Sequence, residues 1–226
     1  MTVAEYQLFT AKPEDKDEIR RFLIEHFMVE EPMSRAAGMN ESSFQKCIDK
    51  TFERCSGISH SVIARRAGSN EIVACALNSL WKREDSKGED EKKGGDFDFG
   101  ESSKEIDAVG TILNDLHDKF WGLVPGTINS VIHLEILSVS KDHRRKGIAS
   151  KLMAWTEDPD KLNKLQASGI VAEASSLANQ TLLTRRGYKT LAEKLVETVT
   201  DGNGVPLLKC DDGTDRGLLM FKSLEK

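Results

Sequence analysis

The chain has 226 residues and a formal net charge of −5, and 38% of its residues are hydrophobic and 31% charged. This length and composition predict one water-soluble globular domain, residues 1–226, with a full hydrophobic core. The acidic balance argues against a nucleic-acid binder that relies on bulk positive charge. No apolar run reaches membrane-spanning length and the N-terminus lacks a signal-peptide core, so we expect a cytoplasmic protein that binds no membrane.

The spacing of the four cysteines matches no zinc-binding pattern. These residues are Cys47, Cys55, Cys75 and Cys210. In a reducing compartment such residues are mostly free thiols that pack in the core, and we expect no metal site. A cysteine nucleophile remains an alternative, although no activating histidine neighbour is visible in the sequence.

The N-terminal part of the chain predicts a strand and then a helix. The strand is expected at residues 3–10, and the helix starts near Pro13 and carries apolar side chains at helical spacing as far as Phe27. Pro32 is expected to end this helix, because the residue before a proline is biased away from helical geometry. The segment 30–33 is therefore predicted to be a loop attached to a packed helix.

A second helix and a pair of strands follow. Apolar residues recur at helical spacing from Phe44 to Cys55, and Ser42 or Ser43 can cap this helix. Residues 61–66 and 72–81 are expected to form two strands joined by a tight turn.

Residues 84–107 differ in composition from the rest of the chain. They contain ten acidic residues and four lysines, a local charge of −6, together with several glycines. Such a segment predicts a mobile loop. Beyond it, apolar residues from Val109 to Phe120 predict a third helix.

The stretch from Val131 to Trp155 reads as a buried strand, a basic loop and a helix. Gly147 stands at the start of the helix, and Ile148, Leu152 and Trp155 repeat along one helical face. A glycine turn at a helix start exposes backbone N–H groups, and the positive end of the helix dipole favours an anion. The layout therefore predicts a phosphate site, although neither common nucleotide-binding glycine motif is present.

The loop sequence RRKGIA resembles the [QR]-x-x-G-x-[GA] loop of the GNAT superfamily of acyl-CoA N-acyltransferases. The longer segment ILSVSKDHRRKGIASKL is most similar to the arylalkylamine N-acetyltransferase branch of insects and nematodes. The resemblance implies a mixed α/β fold whose central sheet is splayed between the fourth and fifth strands, with acetyl-CoA as cosubstrate. It implies that backbone groups of Leu137, Ser138 and Val139 hold the pantetheine arm and the acyl carbonyl. The residues implied to hold the pyrophosphate are Arg144, Arg145, Lys146, Gly147, Ile148, Ala149 and Ser150.

The segment FMVEEPM resembles the F-x-x-[DE]-E-P-[LM] segment of the same branch, and this implies that Glu31 is the catalytic base. A base is needed because the amine arrives mostly as an ammonium ion and must lose a proton before it attacks the thioester. His133 and Glu135 are two residues apart and should share one face of the central strand. They form either a satisfied core pair or further base candidates, since vertebrate serotonin acetyltransferases carry two histidines at the matching positions.

The C-terminal part predicts a short helix at residues 161–167, a strand at 169–174, a further helix and a closing β-hairpin. Ser175 or Ser176 can cap that further helix. By resemblance, Ser175 matches the first of two serines that assist proton transfer or substrate placement. The second position is Asn179, which can hydrogen-bond beside the acyl-CoA but cannot relay a proton as a hydroxyl does.

The resemblance implies direct acetyl transfer, in a ternary complex, from acetyl-CoA to the primary amine of a small arylalkylamine. The partner would then be a small-molecule amine, with no nucleic acid bound, and the chain a monomer or weak dimer. Two alternatives remain open. The acceptor could be a polyamine or a protein amine, or the chain could bind acyl-CoA as a sensor without catalysis, since it has leucine at position 183 where many GNAT enzymes carry a tyrosine acid.

Overall fold

One seven-stranded mixed sheet, with strand order β1-β2-β3-β4-β5-β7-β6, organises the computed structural model, which describes residues 5–85, 95–100 and 103–224. The strands are β1 (Tyr6–Thr10), β2 (Val62–Arg66), β3 (Ile72–Lys82), β4 (Ser130–Val139), β5 (Gly169–Ala174), β6 (Lys189–Leu195) and β7 (Arg216–Ser223). The helices are α1 (Lys16–Phe22), α2 (Pro32–Ala36), α3 (Glu41–Cys55), α4 (Lys104–His117), α5 (Phe120–Leu123), α6 (Ile148–Thr156), α7 (Pro159–Lys164) and α8 (Leu177–Arg185). No helix among these residues is long and apolar enough to cross a membrane.

The pairing of β4 with β5 is parallel and short. It joins Ile132 to Ile170 and His133 to Val171, whereas β4 is paired with β3 along its whole length. Beyond His133 the two parallel strands separate, so the second half of β4 has one edge that is not bonded to β5. The expected split between the fourth and fifth strands of a mixed α/β sheet is confirmed.

Helices cover both faces of the sheet. Apolar side chains of α1, α3, α4 and α5 pack in one core, and those of α6, α7 and α8 pack in the other. The central strand β4 contributes side chains to both cores. Val131 and Ile136 pack in the first core, and Ile132 and Leu134 pack in the second. This two-sided burial explains the nearly continuous apolar run in its sequence.

A β-bulge interrupts β4 in the middle of the sheet. Leu77 pairs with Ile136 and its neighbour Asn78 pairs with Leu134, so Glu135 is the extra residue between them. A bulge re-aims side chains locally. Glu135 lies on the same side of the sheet as His133, as the strand pattern predicted, and the bulge turns the next residue, Ile136, toward the same core as Val131.

Two expectations about the first helices were wrong in detail. The preceding helical run does end before Pro32, as expected, and Glu31 has extended backbone. Residues 32 and 33 are not a loop, however: Pro32 is the first residue of α2, a position that proline favours because its missing N–H would be unpaired there in any case. The cap of α3 is Asn40, whose side chain accepts a hydrogen bond from the backbone N–H of Ser43 at 3.0 Å, rather than Ser42 or Ser43 itself.

The acidic segment 84–107 is only partly described, because residues 86–94 and 101–102 lie outside the described ranges. In the remainder, Phe99 is buried in the core and Asp98 accepts a hydrogen bond from Lys50 at 2.9 Å. Helix α4 begins at Lys104 with Ser103 as its cap, so the last residues of the segment are helical.

Candidate active site

A cleft of about 520 Å³ lies along the separated half of β4. Its walls come from the end of β4, the basic loop with the start of α6, the start of α8, and the junction between α1 and α2. Residues expected to bind acetyl-CoA that line it are Leu137, Ser138, Val139, Arg144, Arg145, Gly147, Ile148, Ala149, Ser150 and Asn179. Glu31 lines the same cleft, so the structure brings the first base candidate and the phosphate loop together.

The basic loop turns sharply into α6 through left-handed backbone. Arg145 has a φ of 60° and Gly147, the cap of the helix, has a φ of 77°. A Cβ atom on Gly147 would meet no other atom within 4 Å, so it would project into open space. The first N–H groups of a helix have no partner within the helix, and this turn leaves room for an anion to accept from them.

Lys146 behaves differently from its neighbours in the loop. It does not line the cleft, and its Nζ donates hydrogen bonds to Glu5 at 3.1 Å and to the Tyr6 hydroxyl at 3.0 Å. Its ammonium group is therefore tied to the edge strand β1, and the side-chain charge at the phosphate position comes from Arg144 and Arg145.

Glu30 forms ion pairs with two cationic side chains of the basic loop. Its carboxylate lies 3.3 Å from a guanidinium nitrogen of Arg144 and 3.8 Å from the Lys141 ammonium. These three side chains are partly exposed, and such pairs are weak. An incoming phosphate would compete with Glu30 for the same cations.

Glu31 is 8% exposed and caps α2. Its Oε2 atom accepts a hydrogen bond from the backbone N–H of Ser34 at 2.7 Å, while Oε1 is buried without a partner among the described residues. Burial raises the pKa of this carboxyl, against the opposing effect of the nearby hydroxyl groups of Ser34 and Ser175. A carboxylate with a free buried oxygen and a raised pKa is suited to accept a proton.

The start of α8 supplies the opposite wall of the cleft. Ser176 caps this helix and lines the cleft. Ser175 lies beside the Glu31 carboxylate, but its hydroxyl makes no hydrogen bond of normal geometry to Glu31 Oε1. Asn179 lines the cleft, and its Oδ1 is buried with no hydrogen-bond partner in the described part of the chain. Leu183 is buried in the core, so no side chain at that position can donate a proton to a leaving thiolate.

His133 and Glu135 do not line this cleft. His133 lines a second cleft of about 370 Å³, and Glu135 lies beneath it with one oxygen 3.3 Å from His133 Nδ1. Arg54 donates two hydrogen bonds to Glu135, at 2.8 and 2.6 Å, and the Ser79 hydroxyl donates a third at 2.7 Å. The pair is therefore part of a buried network of ion pairs and hydrogen bonds.

The network extends to residues that the sequence pattern did not single out. Nε2 of His133 is 2.5 Å from Glu173 Oε2, and Glu173 Oε1 is 3.0 Å from His117 Nδ1. Asp96 Oδ2 lies 3.1 Å from His117 Nε2, although outside normal hydrogen-bond geometry. Glu173 was the one charged residue in the apolar strand β5, which is the signal that could have marked it.

The charges in this network set the protonation of its members. Burial lowers the pKa of His133, but the Glu173 and Glu135 carboxylates outweigh it and raise that pKa to about 10. Burial likewise lowers the pKa of His117, and the nearby carboxylates of Asp96 and Glu173 raise it to about 9. Burial opposes ionisation of Glu135, yet His133 and Arg54 hold its pKa well below the usual range. Neither His133 nor Glu135 is therefore a ready proton acceptor near neutral pH.

Comparison with known structures supports the fold. Arylalkylamine N-acetyltransferase 2 from Aedes aegypti has a TM-score of 0.76 and 17% identity, over 98% of this chain and 100% of that chain. A Drosophila melanogaster polyamine N-acetyltransferase, described as forming N-acetylagmatine, has a TM-score of 0.73 and 13% identity, over 97% and 100%. At these identities the likeness concerns the fold alone.

Sequence comparison identifies the family. No curated protein sequence matches the chain significantly. The family model described as "Acetyltransferase (GNAT) family" matches residues 66–188, which include β4, the basic loop and α8. This match covers more than half of the chain, and the cleft at the split of the sheet lies within the same fold. The chain belongs to the GNAT family of acetyltransferases, enzymes that use acetyl-CoA.

Proposed function

We propose that the chain transfers an acetyl group from acetyl-CoA to the primary amine of a small arylalkylamine, with Glu31 as the catalytic base. The observation that carries the proposal is that Glu31 and the phosphate loop line one cleft. A direct transfer needs the amine and the thioester side by side, because positioning the two reactants supplies much of the rate.

Acetyl-CoA is proposed to lie along the separated half of β4. The backbone edge of Leu137, Ser138 and Val139 that is not paired with β5 would bond the pantetheine arm and the acyl carbonyl, after Arg144 releases the Val139 carbonyl oxygen that it bonds at 3.1 Å. The pyrophosphate would sit at the N-terminus of α6, against Gly147 to Ser150, with Arg144 and Arg145 beside it. Asn179 lines the same cleft, and its Oδ1, which is buried and accepts no hydrogen bond from any residue that the structure describes, is available to bond the pantetheine amides.

The proposed reaction conserves its protons and electrons. Glu31 takes one proton from the substrate ammonium, with Ser175 beside it as an orienting hydroxyl. The free amine then forms a C–N bond to the acyl carbon, and the C–S bond of the thioester breaks. A backbone N–H near Val139 would stabilise the developing oxyanion. The nitrogen loses its second proton as the C–S bond breaks, and this proton reaches the CoA thiolate through water, since no acid stands at Leu183 and a thiol has an ordinary pKa near 8.5.

Glu31 is preferred over His133 and Glu135 as the base for two reasons: it lines the acetyl-CoA cleft, and its pKa is shifted in the direction that favours proton uptake. The pKa of Glu31 is raised, which favours proton uptake, whereas the His133 imidazole is already protonated at neutral pH. Glu135 is engaged by Arg54, His133 and Ser79, which leaves it no free oxygen for a substrate proton.

A second acceptor class, the polyamines, is favoured by one feature of the cleft. Besides Glu31, the carboxylates of Glu30 and Asp212 line it, and among the described lining residues the benzyl ring of Phe27 is the one large aromatic group. Carboxylates attract a second cationic group, whereas an aryl group prefers aromatic walls.

The four free cysteines fit a reaction in the reducing cytoplasm.

The acceptor is tested by incubating the protein with acetyl-CoA and an amine panel and detecting N-acetylated products by mass spectrometry. The panel contains tyramine, dopamine, serotonin, tryptamine, agmatine, spermidine and a lysine peptide. We expect product from an arylalkylamine; product from agmatine or spermidine alone would replace it by the polyamine class. No product from any amine, with acetyl-CoA binding retained, would contradict the proposal and favour a sensor.

A further inference from the structure

The buried network around His133 and Glu173 contains the ligand set of a metal site. One ligand atom from each of His117, His133 and Glu173 lies within 4.8 Å of the other two. They come from three separate elements, α4, β4 and β5, and their side chains are at most 4% exposed. Two imidazoles and one carboxylate form a donor set that zinc accepts in proteins, with a fourth position left for water.

We propose that His117, His133 and Glu173 bind a divalent metal ion of the zinc type, separate from the acetyl-transfer cleft. His117 would offer Nδ1 and His133 would offer Nε2, since these are the atoms that face the Glu173 carboxylate, at 3.0 and 2.5 Å. Small side-chain rotations would open this arrangement for an ion about 2.0–2.1 Å from each donor.

The other nitrogen of each imidazole faces a second carboxylate. Glu135 Oε1 lies 3.3 Å from His133 Nδ1, and Asp96 Oδ2 lies 3.1 Å from His117 Nε2. A carboxylate behind a ligand histidine fixes the ring and its tautomer and strengthens the donor, as in many zinc proteins. Arg54 in turn fixes Glu135 with two hydrogen bonds. Each imidazole therefore has a carboxylate close to the nitrogen that would not bind the metal.

The site also has a route to solvent. Asp96, His117 and His133 line the second cleft of about 370 Å³, together with the indole of Trp81, which stacks on His117 with ring centroids 3.9 Å apart. An ion could reach the ligands from this cleft without passing through the acetyl-CoA cleft. Protons held on the two imidazoles would be released to solvent as the ion binds.

Zinc binding is measured by calorimetry on chelator-treated protein, and folding of every variant is checked by circular dichroism. We expect one equivalent of Zn²⁺ per chain for the wild type. His117→Gln and Glu173→Gln should each abolish this binding. Asp96→Asn, which keeps all three ligands, should weaken it about 10- to 100-fold. His60→Gln removes a buried histidine that bonds the Thr156 carbonyl instead, and it should bind as the wild type does.

Cobalt substitution provides a second readout that a structural role would not produce. Co²⁺ in the site should give visible d–d absorption, and His117→Gln should lose it while His60→Gln retains it. Failure of the wild type to bind micromolar Zn²⁺ would overturn the proposal. The three residues would then be a hydrogen-bonded network without a metal ion. Unchanged binding in the folded His117→Gln or Glu173→Gln protein would also overturn it, because the ion would then sit elsewhere. Neither readout depends on acetyl transfer.

Discussion

The carboxylate of Glu31 caps the helix that begins at Pro32, because its Oε2 atom accepts a hydrogen bond from the Ser34 backbone N–H at 2.7 Å. One oxygen thus fixes the side chain, while the other, Oε1, is buried without a hydrogen-bond partner among the described residues. The same contact that orders α2 holds the candidate base in a fixed orientation.

The burial of Glu31 should make protein stability depend on pH. Its pKa in the folded protein is raised above the ordinary value of 4.5, so the folded state holds this proton more tightly than the unfolded chain does. The contribution favours folding below the ordinary value and is lost as pH rises through the folded-state pKa. In Glu31→Gln the contribution is absent. The free energy of unfolding of this variant, relative to the wild type, should therefore increase with pH across that window.

Urea unfolding of both proteins at a series of pH values measures this difference. Other carboxyl groups titrate equally in the two proteins and cancel. A difference that stays constant or falls with rising pH would contradict the raised pKa.

Gly147 should be required for acetyl-CoA binding for two reasons: its left-handed backbone and the space left by its missing side chain. Alanine at a φ of 77° is strained by about 1–2 kcal/mol, and its Cβ would project toward the proposed pyrophosphate position. We expect Gly147→Ala to weaken acetyl-CoA binding about tenfold, equivalent to about 1.4 kcal/mol. Gly68→Ala is the matched control, because Gly68 has a φ of 89°, open space around it and a position in the β2–β3 turn.

Calorimetric titration with acetyl-CoA compares the two variants. Both should lose similar stability, and Gly68→Ala should bind as the wild type does. Equal binding by Gly147→Ala would show that the phosphate lies elsewhere.

Removal of the Glu30 charge should strengthen acetyl-CoA binding. Glu30 pairs with Arg144 and Lys141 in the free protein, and the pyrophosphate must replace it. Because pairs of this exposure contribute about 0–1 kcal/mol, Glu30→Gln should gain about two- to fivefold in affinity at low salt. The gain should shrink at high salt as the charges are screened. Glu71→Gln removes an exposed charge at the distant β2–β3 turn and should have no effect, and weaker binding by Glu30→Gln would refute the competition.

The Arg54–Glu135 pair should contribute strongly to stability, since the Glu135 side chain is 1% exposed and Arg54 only 22%. Arg54→Leu would remove the cation that donates two hydrogen bonds to this buried carboxylate, leaving His133 beside it, and should cost about 3 kcal/mol. The cost should be smaller in a Glu135→Gln background, because no buried charge is then left unpaired. Arg20→Leu breaks the more exposed pair with Asp49 and should cost about 1 kcal/mol or less. Additive effects of the two Arg54–Glu135 substitutions in urea unfolding would contradict the coupling.

The parts of the site that the sequence predicted are those formed by contiguous residues. Buried strand, basic loop and helix follow one another from Val131 to Trp155, so their pattern is visible without knowledge of tertiary structure. The direction of Lys146 was not predictable, because it depends on the left-handed backbone at Arg145 and on Glu5, 141 residues away.

Long-range contacts explain the other differences. The approach of His117 to Glu173 joins α4 to β5, and each residue alone resembles an ordinary polar residue in an apolar segment. Pro32 was ambiguous for a different reason: proline disfavours helix at the residue before it and also favours the first position of a new helix. The capping hydrogen bond from Ser34 to Glu31 decides for the new helix.

The most direct test of the account is the pH dependence of kcat/KM for the wild type and Glu31→Gln with the amine that reacts best. For the wild type we expect kcat/KM to rise with pH as Glu31 loses its proton. Glu31→Gln should lower kcat/KM about 10²- to 10⁴-fold and lose that rise. Glu25→Gln, an exposed neighbour in the preceding turn, should match the wild type. A Glu31→Gln profile within about twofold of the wild type at every pH would show that Glu31 is not the base.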